Sequence, residues 1–453
     1  MQVEVIATPE LGDRSYLIHD GRTGVVIDAQ RDIDRVTELA DAAGIRIDLV
    51  LETHIHNDYV TGGCELARRR GARYAVNGAD HVEFDRLPIG DGDVLTAGSL
   101  IVRVLATPGH TDTHLSYAVT DSREPGQPPA VFTGGSLLFG SVGRTDLVDP
   151  ARTDELTRAQ YHSARRLADE LPDPTPIYPT HGFGSFCSSG PASGGDDSTI
   201  GIERRRNDAL TSVDEDEFVE RLIANLTAYP TYYAHMSALN RGGPAAPDMS
   251  PPAPVDATEL AKRISAGEWV VDLRDRVAYA ADHLRGTVSI ALGDKFSTYV
   301  GWLAPWGGPL TLLGETPEQI VEAQRQLVRI GVDQLAGAAA GPLDELAETA
   351  SDRHAYERAT FAEARQQMGD GDIMLDVRRD DEYADNHISG SIHVPLAELE
   401  SRVADLPAGR LWVHCAAGFR SSIAASLIDR AGRDVVYIDD DYSNAASAGF
   451  VTN

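Results

Sequence analysis

The sequence predicts a multidomain α/β protein: an N-terminal layered domain with helices packed outside paired strands, then two smaller α/β units. Three observations predict it. Short Val- and Ile-rich runs alternate with helical patterns through the first part of the chain. The run N-R-G-G-P-A-A-P-D-M-S-P-P-A-P (Asn240–Pro254) has no periodicity and reads as a linker. Beyond it the chain repeats itself at a fixed offset. At roughly 100–200 residues per domain, 453 residues call for two to four domains.

In the first part, Val3–Ala7, Ser15–His19 and Gly24–Asp28 read as strands, and Ile33–Ala43 as a helix ended by Gly44. Strands follow at Asp48–Glu52, Leu100–Ala106, Leu115–Val119 and Ala130–Thr133. A helix is expected over Asp154–Leu171 and a last strand at Pro176–Tyr178. In the repeat, Asp272, Arg274, Tyr279, His283 and Gly286 recur as Asp376, Arg378, Tyr383, His387 and Gly390, each offset by 104 residues. Apolar positions follow suit, as in Leu273/Val377 and Leu284/Ile388. In each unit a helix precedes a strand (Trp269–Leu273, Ile373–Val377). Another strand and helix follow: Pro309–Leu313 then Ile320–Ile330, and Leu411–Cys415 then Arg420–Ala431. The expected divisions are residues 1–242, a linker at 243–254, and the two repeats at 255–350 and 351–453.

Composition narrows the function. Lys+Arg is 40 and Asp+Glu is 70, a formal charge of −30. That surface repels phosphate backbones and anionic lipid, so neither nucleic acid nor membrane is an expected partner. Three Cys in so long a chain are no disulfide framework, so a reducing cytoplasm is expected. The opening M-Q-V-E-V-I-A-T-P-E has no basic region or long apolar run, so no signal peptide is expected. Whether the protein is a homo-oligomer is left open.

The chemistry-bearing residues of the first part sit at strand ends. T-H-I-H-N-D-Y places His54 and His56 at i, i+2, followed by Asp58. His110 follows in A-T-P-G-H and His181 in Y-P-T-H-G. Imidazole is a common transition-metal ligand, and the carboxyl ends of strands are where layered α/β folds place their sites.

H-x-H-x-D, T-P-G-H and P-T-H-G in this order resemble the metallo-β-lactamase fold, an αββα sandwich, from Met1 to the linker. G-S-V-G-R-T-D-L (Gly140–Leu147) resembles persulfide dioxygenases more than glyoxalase II hydrolases, and P-T-H-G-F-G-S-F-C (Pro179–Cys187) resembles their branch fused to rhodanese domains. Two positions depart from the family. Tyr59 stands where a second-site His is expected, and Gly135 where F-T-G-D carries a metal carboxylate. The resemblance therefore implies at most one ion, with Fe(II) favoured and Zn the alternative. Its ligands would come from His54, His56, Asp58, His110 and His181. Tyr59 is expected to pack. Arg144 and Asp146 either hold the carboxylate of a thiol substrate and order their loop, or form a surface ion pair.

The cysteines read differently from one another. Cys64, at a helix start, is expected to be a buried small hydrophobe. Cys187 lies in a small-residue loop near His181, and either contacts sulfane sulfur or is a plain loop cysteine. Cys415 ends a strand, and A-A-G-F-R-S-S then leads into a helix. That placement puts its sulfur before a ring of backbone N–H groups from Ala416, Ala417, Gly418 and Phe419 and at a helix N-terminus, with Arg420 adding charge. The six-residue loop, together with D-V-R and H-I-x-G upstream, resembles rhodanese sulfurtransferases. Related phosphatases use a longer loop. In the first repeat Gly314 and Gln319 take the Cys and Arg positions, so that unit should be silent, and the repeated Asp–Arg pairs read as fold-maintaining contacts.

The resemblance implies a persulfide dioxygenase–rhodanese fusion. It would act on a low-molecular-weight thiol persulfide with O₂, release sulfite, and exchange sulfane sulfur with thiosulfate or sulfite through Cys415. Two alternatives stay open. One is a glyoxalase II-like metal hydrolase fused to a sulfurtransferase. The other is a sulfurtransferase whose first domain is a non-catalytic scaffold.

Overall fold

Alternation along the strands sets the layers of the first unit. In β2 (Asp13–His19), Tyr16 and Ile18 face one way and Leu17 the other; in β3 (Thr23–Ile27), Val25 and Ile27 oppose Val26. The computed structural model describes residues 1–190 and 195–452. Strands β1 (Gln2–Thr8), β2, β3, β4 (Arg46–Leu51), β5 (Arg73–Asn77) and β6 (Leu87–Ile89) form a six-stranded sheet in that order. A second sheet has the order β11–β10–β9–β8–β7. Its strands are β7 (Val94–Ala97), β8 (Leu100–Ala106), β9 (Leu115–Asp121), β10 (Ala130–Gly134) and β11 (Ile177–Pro179).

Facing side chains such as Tyr16, Ile27, Leu49, Val104, Tyr117 and Phe132 fill the space between the sheets. Outward residues of the first sheet meet the helices Asp34–Ala42 and Gly63–Arg70, and those of the second meet Thr153–Glu170 and Glu215–Ala224. The result is an αββα sandwich. Strands β5, β6 and β7, and the helices of residues 200–242, were not anticipated. Segments such as L-P-I and V-L-T-A are too short to show a period.

Two units are resolved: residues 1–248 with 328–331, and residues 249–327 with 332–453. Both repeats lie in the second. The first repeat has a parallel sheet in the order β14–β12–β15–β16, built from β12 (Trp269–Asp272), β14 (Val288–Ser289), β15 (Leu310–Gly314) and β16 (Gly337–Ala340). Short strands β13 (His283–Leu284) and β17 (Arg353–His354) pair with each other. The second repeat has β18 (Glu357–Ala359), β19 (Ile373–Asp376), β20 (Ile392–His393), β21 (Leu411–His414) and β22 (Val435–Ile438), all parallel, in the order β18–β22–β21–β19–β20.

Register aligns the two repeats atom for atom. Asp272 lies opposite Leu313 and Asp376 opposite His414, so the residues that follow are Gly314 and Cys415. The Asp–Arg pairs are equivalent too. Arg274 grips Asp272 at 2.6 Å and donates to the Asp282 carbonyl; Arg378 grips Asp376 at 2.7 Å and donates to the Asn386 carbonyl. Among the described residues no helix is long and apolar enough to cross a membrane.

Both members of the Asp272–Arg274 pair are buried. Arg274→Ala strands the carboxylate and is expected to cost about 3–5 kcal/mol of stability. Urea unfolding of the full chain checks this, and an unchanged midpoint would show that the pair does not hold the repeat together.

Candidate metal centre and sulfur-transfer loop

The ends of four neighbouring strands supply the first site. His54, His56 and Asp58 follow β4, His110 follows β8 and His181 follows β11, while Asp28 follows β3. One ring nitrogen from each of His54, His110 and His181 lies within 4.8 Å of the others, and all three residues are buried.

The hydrogen bonds assign the tautomers. Thr53 donates its hydroxyl to Asp28 at 2.8 Å, so the lone pair of that hydroxyl must accept from His54 Nδ1, also at 2.8 Å. His110 Nδ1 donates to the Arg144 carbonyl at 2.7 Å, and a carbonyl only accepts. His181 Nδ1 faces Asp13 at 2.9 Å and Asp58 at 3.2 Å. All three rings therefore carry hydrogen on Nδ1 and present Nε2 to the centre. His54 Nε2 and His181 Nε2 face each other at 3.3 Å, and His110 Nε2 is buried without a partner. Metal-ligating imidazoles are held in this way, by an acceptor on the far nitrogen.

Electrostatics separate the three. Burial, then the neighbouring histidines, push His54 well below its ordinary value, and burial pushes His110 down to about 3. Burial would lower His181 as well, but the Asp58 and Asp13 carboxylates outweigh it and raise it well above the usual value. Asp13 is pushed up to about 8 by burial and by the charge on Asp58.

His56 turns to a different pocket. Its Nε2 meets the Tyr59 hydroxyl at 2.9 Å, Asp28 at 3.3 Å and Glu52 at 3.4 Å. Burial opposes its protonation, yet Asp28 and Glu52 raise it to about 9. Tyr59 does more than pack: its ring stacks on His56 at 4.3 Å and its hydroxyl bonds both His56 and the Asp28 carbonyl. Asn240 ties this loop down, donating to the His56 and Tyr59 carbonyls at 2.8 Å each and accepting from the Thr61 amide.

Asp13, Asp28, Glu52, His114 and Asn240 were not singled out in the sequence. Asp28 has a detectable signal only as the acidic residue closing a buried strand. His114 uses both nitrogens internally, accepting from the Gly135 amide at 3.0 Å and bonding Thr107. Gly135 is built into the site: a Cβ there would lie 2.2 Å from His110 Cδ2. The His110 ring occupies the space where a side chain at that position would begin.

Arg144 is buried and engaged on every side. It meets Asp146 at 2.7 and 2.8 Å and donates to the Phe186 and Thr227 carbonyls, and Tyr229 stacks 4.4 Å from its guanidinium carbon. In this geometry the Arg144–Asp146 pair orders the loop that carries the His110 acceptor. Cys187 is fully buried, 3.9 Å from the Tyr233 hydroxyl, and burial followed by the Asp58 and Asp13 charges pushes its thiol well up. Cys64 is half-buried against the outer face of the first sheet.

The second site is the loop from Cys415 to Arg420, between β21 and the helix Phe419–Arg430. Cys415 is buried, with Sγ 3.5 Å from Ser421 Oγ. Gly418 has φ 88°, and a Cβ there would lie 2.2 Å from Asp439 Oδ1, so the loop turn requires glycine. Arg420 is held by Glu382 at 2.5 and 2.7 Å, and the residues Ala416, Ala417 and Gly418 lead from Cys415 into the helix that begins at Phe419. Tyr299 of the first repeat meets Phe419 edge-on at 5.3 Å. In the first repeat Gln319 instead accepts from the Glu315 amide at 2.7 Å.

Residues 11–181 match the metallo-β-lactamase superfamily and residues 360–448 the rhodanese-like domain. The chain belongs to the metallo-β-lactamase superfamily and carries a rhodanese-like domain in its C-terminal part. It is 31% identical over 222 residues to the human mitochondrial persulfide dioxygenase ETHE1, covering 48% of this chain and 75% of that protein. It is 34% identical over 163 residues to a hydroxyacylglutathione hydrolase of Acidiphilium cryptum, covering 35% of this chain and 60% of that relative, less than two thirds of its length. A solved metallo-β-lactamase structure from Staphylococcus aureus superposes with a TM-score of 0.68 at 27% identity, over 75% of this chain and 99% of that one.

Gly135→Ala should force the His110 ring aside. The expected cost is about 1–3 kcal/mol of stability, with weaker metal binding by the full chain. Thermal unfolding with and without added metal tests both, and an unperturbed variant would show that the ring does not fill this space.

Proposed function

We propose that this chain is a cytoplasmic sulfur-metabolism enzyme. Its first unit would oxidise a low-molecular-weight thiol persulfide to sulfite at a single metal ion. Its second would move sulfane sulfur through a persulfide on Cys415. The observation that carries the reading is the convergence of three Nε2 atoms whose Nδ1 positions are all held by acceptors.

That donor set suits a borderline cation, iron or zinc. His54, His110 and His181 would hold it, with the carboxylates of Asp13 and Asp58 behind His181. A second ion would lack the family's usual ligands, because His181 belongs to the first cluster and Tyr59 and Gly135 stand at those positions, although Asp28, Glu52 and His56 form a further buried group of possible ligands. Ferrous iron there would supply the redox chemistry O₂ requires, whereas zinc would supply Lewis-acid chemistry suited to hydrolysis. The surrounding residues exclude water and fix which imidazole nitrogens are free. Similarity to the human persulfide dioxygenase and the fused rhodanese-like domain support oxidation. Hydrolysis of a thioester is the second reading, favoured by relatives named as hydroxyacylglutathione hydrolases.

In the second unit the Cys415 thiolate attacks the outer sulfur of thiosulfate. The S–S bond breaks, its electron pair leaves with sulfite, and a Cys415 persulfide remains for an acceptor thiol. The loop amides hold the sulfonate oxygens. The first repeat, with Gly314 at the equivalent place, would take no part in transfer beyond walling the loop.

Purified protein should carry no more than about one ion at the His54–His110–His181 centre, and His110→Ala should lose it together with O₂ uptake on a thiol persulfide. Elemental analysis and an oxygen electrode check this. Zinc with thioesterase activity and no O₂ uptake would select the hydrolase reading instead.

Cys415→Ser should abolish sulfur transfer from thiosulfate while leaving O₂ uptake intact. Mass spectrometry after thiosulfate treatment should find an adduct of about 32 Da, one sulfur, on the Cys415 peptide. An adduct confined to Cys187, with Cys415→Ser still active, would move the carrier to the first unit.

A further inference from the structure

A second histidine cluster lies within the repeat unit, apart from both sites above. Strands β13 and β17 pair antiparallel with His283 directly opposite His354, and both rings reach Asp429 near the end of the helix Phe419–Arg430. His283 Nε2 lies 3.2 Å from one Asp429 oxygen and His354 Nδ1 2.8 Å from the other. One ligand atom from each residue falls within 4.8 Å of the others.

The hydrogen bonds orient the three groups toward one another. His283 Nδ1 lies 2.8 Å from the Tyr279 carbonyl, so it carries a hydrogen, and Nε2 faces the Asp429 carboxylate. The Tyr279 ring stacks on His283 at 4.1 Å and 8°, which fixes this orientation. His354 Nδ1 is close to Asp429, yet its in-plane direction misses the oxygen and it makes no hydrogen bond. Asp429 is buried, and the ion pairs it makes among the described residues are with these two rings. The buried carboxylate and the two ring nitrogens converge on one point, and His354 Nδ1 is left there without a hydrogen bond.

The internal repeat provides a control. His387, offset by 104 residues from His283, makes the same Nδ1 bond to the Tyr383 carbonyl at 3.0 Å and the same ring stack at 4.1 Å. No carboxylate is paired with it among the described residues. The position of His283 is thus part of the repeat, whereas His354 and Asp429 are additions to it.

We infer that His283, His354 and Asp429 form a binding site for a divalent transition-metal cation of the zinc class. Two imidazole nitrogens and one carboxylate are a donor set for such ions. The ion would clip β13 of the first repeat and the connecting strand β17 to the helix that begins at the Cys415 loop.

The test uses the full chain with His54→Ala and His110→Ala, which removes the first centre from the metal count. After chelator treatment, Zn²⁺ is titrated against a chromophoric chelator and thermal unfolding is followed in parallel. The expected result is one Zn²⁺ per chain and a raised melting temperature. Asp429→Asn and His354→Gln should each weaken binding by at least about tenfold, while His387→Ala leaves it unchanged. His354→Gln changes a partly exposed side chain, so it keeps the test decisive where Asp429→Asn fails to fold. Absence of Zn²⁺ binding in the parent, or binding that survives His354→Gln and Asp429→Asn, would overturn the assignment and leave the cluster an imidazolium–carboxylate network.

Discussion

Asp28, directly after β3, takes the left-handed conformation, φ 54°, and its carboxylate is the point to which the loops carrying His54 and His181 are fastened. It accepts from the Thr53 amide at 2.7 Å, the Thr53 hydroxyl at 2.8 Å and the Thr180 hydroxyl. The loops delivering His54 and His181 are thereby tied to one buried anion. The tie also decides chemistry: having donated to Asp28, Thr53 can only accept from His54, which sends the His54 lone pair inward. Burial alone would raise the Asp28 carboxyl, but His56 and these hydrogen bonds hold it low. Strain in a non-glycine backbone at this place fits a site where position outweighs local preference.

The two sites draw on different physics. At the first, three buried imidazoles converge; burial drives His54 and His110 toward their neutral form, while the Asp58 and Asp13 carboxylates hold His181 toward its charged one. At the second, Cys415 lies at a strand end before a helix N-terminus, and Arg420 is paired with Glu382. The first repeat keeps the fold's buried Asp–Arg pair while its loop is closed by Gln319. Maintenance of the fold and conduct of the chemistry are thus carried by separate residues within one repeat.

Much of this was legible in one dimension. Strands buried on both faces, such as T-G-V-V-I, read clearly because apolar content does not depend on partners. The offset of 104 residues exposed the repeats, and the motifs carrying His54, His110, His181 and Cys415 announced themselves by residue type beside strand ends. Short strands of three to five residues and the helices of residues 200–242 did not, since short segments take their conformation from what they pack against.

By itself the sequence determined the order of domains, which repeat bears a cysteine at the strand end, and which residue types could reach a metal or a sulfur. The tertiary structure alone decided which of them meet. His54, His110 and His181 converge while His56 turns toward Glu52 and Asp28, because buried hydrogen bonds donated to Thr53, the Arg144 carbonyl and Asp13 choose the tautomers. Asp13, Asp28 and Asn240 lie 41, 26 and 186 residues from His54 in sequence, yet each helps set that geometry. Such partners are chosen by proximity in a low-dielectric interior, where an unmatched donor or acceptor is costly, and sequence spacing carries no record of that proximity.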